Sequence, residues 1–178
     1  MNDAVIRITR ALDYAAKKHA DQRRKGVAQE PYINHLVEVA NLLAESTGGN
    51  DADLIIAGLL HDCIEDQGVT HAELAQDFGA DVADLVRDVT DDKSLPKVER
   101  KRLQIEQTPH KPDRVKMLKM ADKISNLHSL VASPPSGWDQ QRISDYYAWA
   151  KAVVDGCRGV NAFLEQKFDE AWRARSAD

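Results

Sequence analysis

The sequence has few cysteines, no long apolar run and no excess of positive charge. Its two cysteines, Cys63 and Cys157, are far apart along the chain, which argues against a disulfide framework. No run of 18 apolar residues occurs, so we expect no membrane span. Residues 1–5 show no basic segment leading into an apolar one, so we expect no secretory signal and a cytoplasmic protein. The formal net charge of −5 argues against a nucleic-acid binder.

What remains is the composition of an ordinary globular protein, with 43% hydrophobic and 30% charged residues. A length of 178 residues suits one domain with a substantial core. Apolar residues recur at helical spacing, and no segment shows the alternation of a strand, an internal repeat or low complexity. We therefore predict an all-α helical bundle, a single domain over residues 1–178 with a helical core at about 5–172.

Start and stop signals divide this core into helices. Asn50 and Ser94 are predicted N-caps, and Thr70 with Glu73 forms a predicted capping box. Glycines end several segments, Gly48 among them. The predicted helices cover about residues 5–20, 31–47, 51–66, 70–78, 80–89, 95–107, 114–131, 138–154 and 157–172.

The central helix joins an apolar run, residues 54–60, to His61, Asp62, Glu65 and Asp66. Burying such groups without partners costs several kcal/mol, and a divalent cation is a natural partner. On a regular helix His61 and Asp62 could bind one ion together. Glu65 and Asp66 would lie one turn, about 6 Å, further along, where they could orient a water on that ion. The alternative is a helix end with ordinary charges.

Two other helices carry candidate ligands. His35 lies in the first turn of its helix, where a histidine is more often a core or capping residue than a ligand. Asp122 lies on the apolar side of the 114–131 helix, where an aspartate is unusual, and Asn126 follows one turn later. That pair could be a structural hydrogen bond, or a ligand beside a substrate-binding amide.

Cations cluster in two places although the chain is acidic. Residues 23–25 are three cations before Gly26, and four more lie within 97–102. Each cluster could be a solvated helix face or end, or a surface that meets phosphates. Arg142 and Tyr146, four apart on one helix, could add a phosphate contact and a stacking edge.

The order His, His-Asp, Asp resembles that of the HD metal-dependent phosphohydrolases. The segments at 32–35 (Tyr-Ile-Asn-His), 58–66 (Gly-Leu-Leu-His-Asp-Cys-Ile-Glu-Asp), 78–82 and 119–127 look like the hydrolase domain of RelA/SpoT-type alarmone enzymes. The short chain and the segment 99–107 are similar to stand-alone small alarmone hydrolases of the metazoan SpoT homologue kind. The resemblance spans about residues 5–172. Leu36 follows His35 where many relatives have proline, a change expected to alter the helix start and not a ligand.

The resemblance implies a metal site and a reaction. His35, His61, Asp62 and Asp122 match the metal ligands, usually of Mn²⁺, although such a set does not exclude Zn²⁺ or Fe²⁺. The catalytic acidic pair matches Glu65 and Asp66. The implied reaction is hydrolysis of the 3′-pyrophosphate of ppGpp or pppGpp, giving pyrophosphate and GDP or GTP. The implied substrate contacts are Arg24, Lys25 and Asn126, with Lys97, Arg102, Arg142 and Tyr146 as further candidates.

Other functions also fit the sequence. An HD phosphohydrolase acting on another phosphorylated nucleotide, such as the 2′-phosphate of NADPH, needs the same cationic pocket and metal. A nucleotide-binding module without catalytic activity would be expected to have lost Glu65, Asp66 or a metal ligand, and all are present. A purely structural helical scaffold does not explain why Asp122 lies on an apolar face. The expected partner is a small nucleotide, without nucleic acid or membrane, and a homo-oligomer is compatible with the sequence.

Overall fold

A computed structural model describes residues 3–175, which form ten α-helices and one 3₁₀ helix. Within this range no strand occurs, apart from an isolated antiparallel bridge between Arg23 and Pro31, so the predicted all-α class is confirmed. The helices are α1 (Asp3–Lys18), α2 (Ile33–Thr47), α3 (Ala52–Leu60), α4 (Cys63–Gln67), α5 (His71–Phe78), α6 (Ala80–Val89), α7 (Lys97–Gln107), the 3₁₀ helix η1 (Thr108–His110), α8 (Asp113–Ala132), α9 (Gln140–Asp155) and α10 (Ala162–Ala174). Over the described residues, no helix combines the length and apolarity that crossing a membrane requires.

Helix α3 is the centre of the bundle. Every residue from Leu54 to Leu60 is buried, and the helix packs against α1, α2, α6 and α8. Gly58 allows α2 to approach closely, because a Cβ at this position would lie 2.8 Å from Leu43 Cδ1 and 3.2 Å from Ala40 Cα. An apolar run that is buried on every side therefore sets the position of the polar residues that follow it.

The central helix is not continuous, which corrects the regular 51–66 helix predicted above. It breaks between α3 and α4, with Asp62 at φ −98° and ψ 0°. Neighbouring side chains on a regular helix diverge by about 100°, so a regular helix would aim His61 and Asp62 in different directions. The break instead lets both side chains face the same point, as the distances below show.

Helix starts were predicted less well than helix existence. The capping box of Thr70 and Glu73 is confirmed, and Gly48 ends α2 in the left-handed conformation. Asn50 does not cap α3; Asp51 does, by accepting a hydrogen bond from Leu54 N–H. Ser94 does not cap α7 either, because its N–H bonds the Asp92 carboxylate and the helix starts after Pro96. The last helix starts five residues later than predicted, at Ala162 in place of 157.

Two loops far apart in sequence meet beside the helical bundle. Val27 N–H donates to the carbonyl of Pro134, and Ala28 N–H donates to Ser133 Oγ. A Cβ on Gly26 would lie only 2.1 Å from the Ser133 carbonyl oxygen, so a residue without a side chain is needed there. The cationic segment 23–25 is thereby held against the loop that leads into α9.

Candidate metal centre and substrate cleft

Four side chains predicted as ligands converge from three parts of the fold. His35 comes from the start of α2, His61 and Asp62 from the break between α3 and α4, and Asp122 from the middle of α8. Ligand atoms of His35, His61 and Asp62 lie within 4.8 Å of one another. Asp122 Oδ1 is 3.4 Å from His35 Nε2 and 3.8 Å from His61 Nε2. The structure thus groups His35, His61 and Asp62, with Asp122 next to both histidines.

Hydrogen bonds turn the same nitrogen of each imidazole toward the two aspartates. Nδ1 of His61 lies 2.8 Å from the Gly58 carbonyl, which can only accept, so Nδ1 carries a proton. Nδ1 of His35 lies 2.8 Å from Ser125 Oγ, whose own proton goes to Glu38 Oε2 at 2.5 Å. His35 Nδ1 is therefore also a donor, and both Nε2 atoms are left facing the carboxylates. This is how proteins commonly orient histidines that bind metals.

Glu38 ends the hydrogen-bonded chain behind His35. It accepts from Ser125 and, at 2.6 Å, from His128 Nδ1. Burial alone would raise the pKa of Glu38, but the hydrogen bonds from His128 and Ser125 outweigh it and the pKa is lowered. Glu38 therefore stays ionised and keeps Ser125, and through it His35, in a fixed orientation. Neither Glu38 nor Ser125 was predicted from the sequence to support a ligand.

The two aspartates are held by three groups, of which the sequence indicated only Asn126. Tyr32 donates its phenol hydrogen to Asp62 Oδ2 at 2.7 Å. Lys123 Nζ lies 2.8 Å from Asp122 Oδ2, and Asn126 donates to Asp122 Oδ1 at 2.7 Å. The Asp122–Asn126 hydrogen bond was one of the alternatives left open above, and the sequence signal for it was the four-residue spacing.

The electrostatics of the centre favour two ionised carboxylates. Burial would raise the pKa of Asp62, but His61 and His35 lower it well below its usual range. Burial is likewise outweighed at Asp122, where Lys123 and the two histidines lower the pKa. Burial lowers the pKa of His35, whereas at His61 the two aspartates overcome burial and raise it. A divalent cation would take the place of that extra proton on His61.

The donor set fits a metal ion. His61 Nε2 is fully buried and has no hydrogen-bond partner among the described residues, although Asp62 Oδ2 is 3.1 Å away. Leaving such an atom unpaired in a core costs about 1–3 kcal/mol, and a metal ion at this point would supply the missing partner. Two imidazole nitrogens and two carboxylates suit a first-row divalent ion.

The acidic pair lies next to the centre, but its two members differ. Glu65 borders a small cavity of about 60 Å³ together with His61, Asp62 and Asp122, whereas Asp66 does not. Burial raises the pKa of Glu65, and the charges of Asp62 and Asp91 raise it further. Asp66 instead accepts hydrogen bonds from Gln22 at 2.9 Å and from Lys93 at 2.6 Å. Of the two, Glu65 is the one placed to act on a group at the centre.

A cleft of about 410 Å³ opens beside the centre, and cations dominate its walls. Five of the seven predicted substrate contacts line it, as do Glu65 and Asp66. Those five are Arg24, Lys25, Lys97, Asn126 and Tyr146.

Two predicted contacts are placed differently. Arg102 does not line the cleft; it pairs with Glu99 and Glu106, one turn before and after it on α7. Its charge is used on its own helix, which is the solvated-face alternative stated above. Arg142 also lies outside the walls, but its guanidinium stacks 4.6 Å from the ring of Trp138, which does line them.

The sequence reasoning missed part of the cleft on α7. Arg100 and Lys101 line it together with Lys97 and Gln104, and these four follow the 3–4 spacing of one helix face. That spacing was available in the sequence and separates them from Arg102. Lys101 Nζ lies 4.7 Å from the centre of the Trp149 ring, a cation–π contact inside the cleft.

Comparisons with known proteins agree with this geometry. The HD domain family matches residues 11–148. The guanosine-3′,5′-bis(diphosphate) 3′-pyrophosphohydrolase MESH1 of Xenopus tropicalis is 47% identical over 168 residues, which cover 94% of this chain and 93% of that protein. The Homo sapiens protein of the same name is 44% identical over 175 residues, 98% of each chain.

A solved structure agrees as well. A metazoan orthologue of SpoT, described as hydrolysing ppGpp, has a TM-score of 0.90 to this chain at 46% identity, with 96% of both chains covered. The resemblance inferred from the motifs is thereby confirmed. HD-domain hydrolases are metal-dependent, and His35, His61 and Asp62 give this chain a site of that type.

Proposed function

Because the chain belongs to the HD-domain family, and within it to the group that contains the MESH1 proteins, we propose that it hydrolyses the 3′-pyrophosphate of ppGpp and pppGpp. The products are pyrophosphate and GDP or GTP. The observation that carries the proposal is one continuous arrangement: a four-ligand His/Asp centre, Glu65 on the same small cavity, and a cation-lined cleft that Glu65 also borders.

Mn²⁺ is the ion that we propose for the centre, held by His35, His61, Asp62 and Asp122. A bound divalent ion lowers the pKa of a coordinated water and polarises a phosphoryl oxygen. Each ligand side chain has a hydrogen-bond partner behind it, such as Ser125 behind His35. These partners hold the ligand atoms in place before substrate binds.

Glu65 is the proposed general base. It accepts one proton from the attacking water, whose oxygen bonds to the phosphorus attached to the ribose 3′ oxygen. The bond between that phosphorus and the 3′ oxygen then breaks, and the 3′ oxygen takes up a proton. Asp66 supports the reaction less directly, since its carboxylate is tied to Gln22 and Lys93.

The cleft supplies charge for the rest of the nucleotide. Arg24, Lys25 and Lys97 offer donors to the phosphates, and Arg24 is also hydrogen-bonded to Asn126 at 3.3 Å. Trp138 and Tyr146 are aromatic residues of the same walls, and a base could stack on such rings. A highly anionic substrate gains most from such a cleft when salt is low.

The test is turnover on a substrate panel with defined metal. Purified protein, loaded with Mn²⁺, is incubated separately with ppGpp, pppGpp, NADPH and dNTPs, and the release of pyrophosphate or phosphate is measured. We expect pyrophosphate from the two guanosine substrates, and loss of activity after chelation that returns with added Mn²⁺. Preferential release of phosphate from NADPH would support the alternative HD activity. No turnover of any nucleotide by metal-loaded protein would contradict the proposal.

A further inference from the structure

A second cavity lies beside the metal centre and is separate from the substrate cleft in most of its walls. It has a volume of about 310 Å³ and is enclosed by the end of α6, the turn that follows, α7, η1 and α8. That volume is at the lower end of the range for small-molecule sites. Nothing in the proposed hydrolysis has yet used this cavity.

Three residues connect the second cavity to the small cavity at the metal centre. Val89, Gln104 and Lys119 are in the walls of both, and the last two are polar. Gln104 borders the substrate cleft as well, so it stands where all three spaces meet. A ligand at the metal centre therefore has the second cavity as an immediate neighbour.

Lys119 is a buried cation without a protein partner. It is 7% exposed, and no carboxylate of residues 3–175 lies within 4.0 Å of its ammonium group. Burial lowers its pKa to about 8, Lys123 and Lys111 act in the same direction, and the charges of Asp91 and Asp122 offset this only in part. A buried cation without a paired anion is costly, and an anion next to it would offset that cost.

The walls of the cavity carry four cations, Arg87, Arg100, Lys111 and Lys119, and three acids, Asp88, Asp91 and Asp92. Asp88 pairs with Arg87. Asp91 and Asp92 accept from neutral donors, the Gln104 amide at 2.9 and 2.7 Å and Ser94 N–H, so they keep their charges.

Apart from Arg87, the described cations of the cavity are not paired with its acids. Lys111 and Lys119 have no ion pair among the described residues, and Arg100 has only Glu65, at 3.6 Å. Two polar atoms are also buried without a partner in these walls, Arg100 Nε and Gln104 Oε1. The first can donate to an anion. The second can accept from Lys119 or from a pyrophosphate oxygen that still carries its proton.

From these observations we infer that the second cavity is a site for a diphosphate anion, with Lys119, Lys111 and Arg100 as its donors. Resting on the proposed function, its role is to receive the pyrophosphate product from the metal centre, past Lys119 and Gln104, while the nucleoside product occupies the cleft. Lys119 then binds product and is not part of the bond-breaking step.

This role predicts a particular form of product inhibition. Pyrophosphate that binds only where the substrate diphosphate binds raises KM alone. Pyrophosphate that binds in the second cavity while substrate fills the cleft also lowers kcat. We therefore expect pyrophosphate, at fixed free Mn²⁺, to change both constants in the unaltered enzyme.

Lys119→Met tests the donor, because methionine keeps the length and packing of the side chain without its charge. We expect the effect of pyrophosphate on kcat to weaken at least tenfold, while its effect on KM remains. Lys111→Met, at the more exposed edge of the cavity, should show a smaller change in the same direction. Lys116→Met is the matched control on α8, because Lys116 lines none of the three cavities. Purely competitive inhibition in the unaltered enzyme, or an undiminished kcat effect in both Lys119→Met and Lys111→Met, would overturn the inference.

Calorimetric titration of the Mn²⁺-loaded protein with inorganic pyrophosphate separates this inference from the proposed function. Binding that Lys119→Met weakens and Lys116→Met does not supports the diphosphate site even if no nucleotide is hydrolysed. Efficient hydrolysis of ppGpp together with equal pyrophosphate binding by all three variants would leave the proposed function intact and refute the second site.

Discussion

At the His/Asp centre every proposed ligand side chain is oriented by a further group, whereas two cations of the cleft, Lys25 and Lys97, have no fixed partner among the described residues. His35 has Ser125 behind it and Asp62 has Tyr32, both at hydrogen-bond distance. Among the described residues, by contrast, Lys25 and Lys97 have no carboxylate within 4.0 Å. Ligands must meet an ion with ångström accuracy, so the protein fixes them in advance. The electrostatic attraction between a cation and a phosphate acts over several ångströms, so cations without a fixed partner are sufficient.

Removing a metal ligand should have the largest effect on activity of all the substitutions considered. His61→Ala deletes one imidazole of the proposed ligand set, so we expect the metal to be lost and activity to fall to background. Elemental analysis and turnover should be measured on the same preparation. Asp84→Ala, an exposed acid on α6 that pairs with His71 and Arg87, is the control and should change neither. Full Mn²⁺ occupancy in His61→Ala would contradict the proposed ligand set.

The next largest effect should separate chemistry from binding. Glu65→Gln keeps size and removes the base, so turnover should fall by at least roughly 10²-fold while metal content and ppGpp binding persist. Asp66→Asn should lose less, because Asp66 lies outside the small cavity with the ligands. If Glu65→Gln turns over at the parent rate, the base must be another group.

The orientation of a ligand side chain can be disturbed without substituting the ligand itself. Ser125→Ala interrupts the chain from Glu38 to His35, so the imidazole loses its fixed orientation. We expect metal affinity to fall by about 10–100-fold, measured by competition with a chelator, with activity recovering at high Mn²⁺. Ser129→Ala, also on α8, is the control. Unchanged metal affinity in Ser125→Ala would show that packing alone orients His35.

Substrate binding by the cations of the cleft should depend on their charge and on the salt concentration. Lys97→Ala should raise KM for ppGpp by roughly tenfold, the value of one charge-assisted hydrogen bond, with little change in kcat. Added salt should shrink the difference between Lys97→Ala and the parent. Arg102→Ala is the matched control on the same helix and should leave KM unchanged, because Arg102 pairs with Glu99 and Glu106. Equal effects of the two substitutions would indicate that only the net charge of α7 matters.

The smallest predicted effect is on pH dependence. Glu65 must be ionised to act as a base, and its pKa is raised above the usual glutamate value, first by burial and then by Asp62 and Asp91. Activity should therefore be lost, as the pH falls, at a higher pH than an ordinary glutamate would give. Asp91→Asn removes one of the charges that raise this pKa, so the acid limb should move to lower pH. A shift upward would show that Asp91 acts in some other way.

Helical periodicity was sufficient for the fold class. The four ligand candidates rested on the order His, His-Asp, Asp and the resemblance it carries, because His35 alone looks more like a core or capping residue, and their role as ligands stays a prediction. The sequence was not sufficient for the break after Leu60, since nothing in that apolar run marks a helix end. The groups behind the ligands were also out of reach. Glu38 and Ser125 meet only because α2 packs on α8, which is a tertiary contact without a local pattern.

The basic run on α7 shows an intermediate case. On charge alone Arg102 was a candidate substrate contact like Lys97, whereas in the structure it pairs with Glu99 and Glu106 of its own helix. The spacing from Lys97 to Arg100, Lys101 and Gln104 identifies the face that meets the cleft. Only the tertiary structure reveals which face of the helix is turned inward, as the hydrogen bond from Trp149 to the Lys101 carbonyl illustrates.

The contact between Gly26 and Ser133 has a consequence for motion. The hydrogen bonds of Val27 and Ala28 join the loop that carries Arg24 and Lys25 to the loop that carries Pro135 and Trp138, so the two edges of the cleft can separate only if both bonds break together. The amide protons of Val27 and Ala28 should then report the same free energy of opening by hydrogen exchange. That free energy measures how readily the mouth of the cleft opens in the absence of turnover.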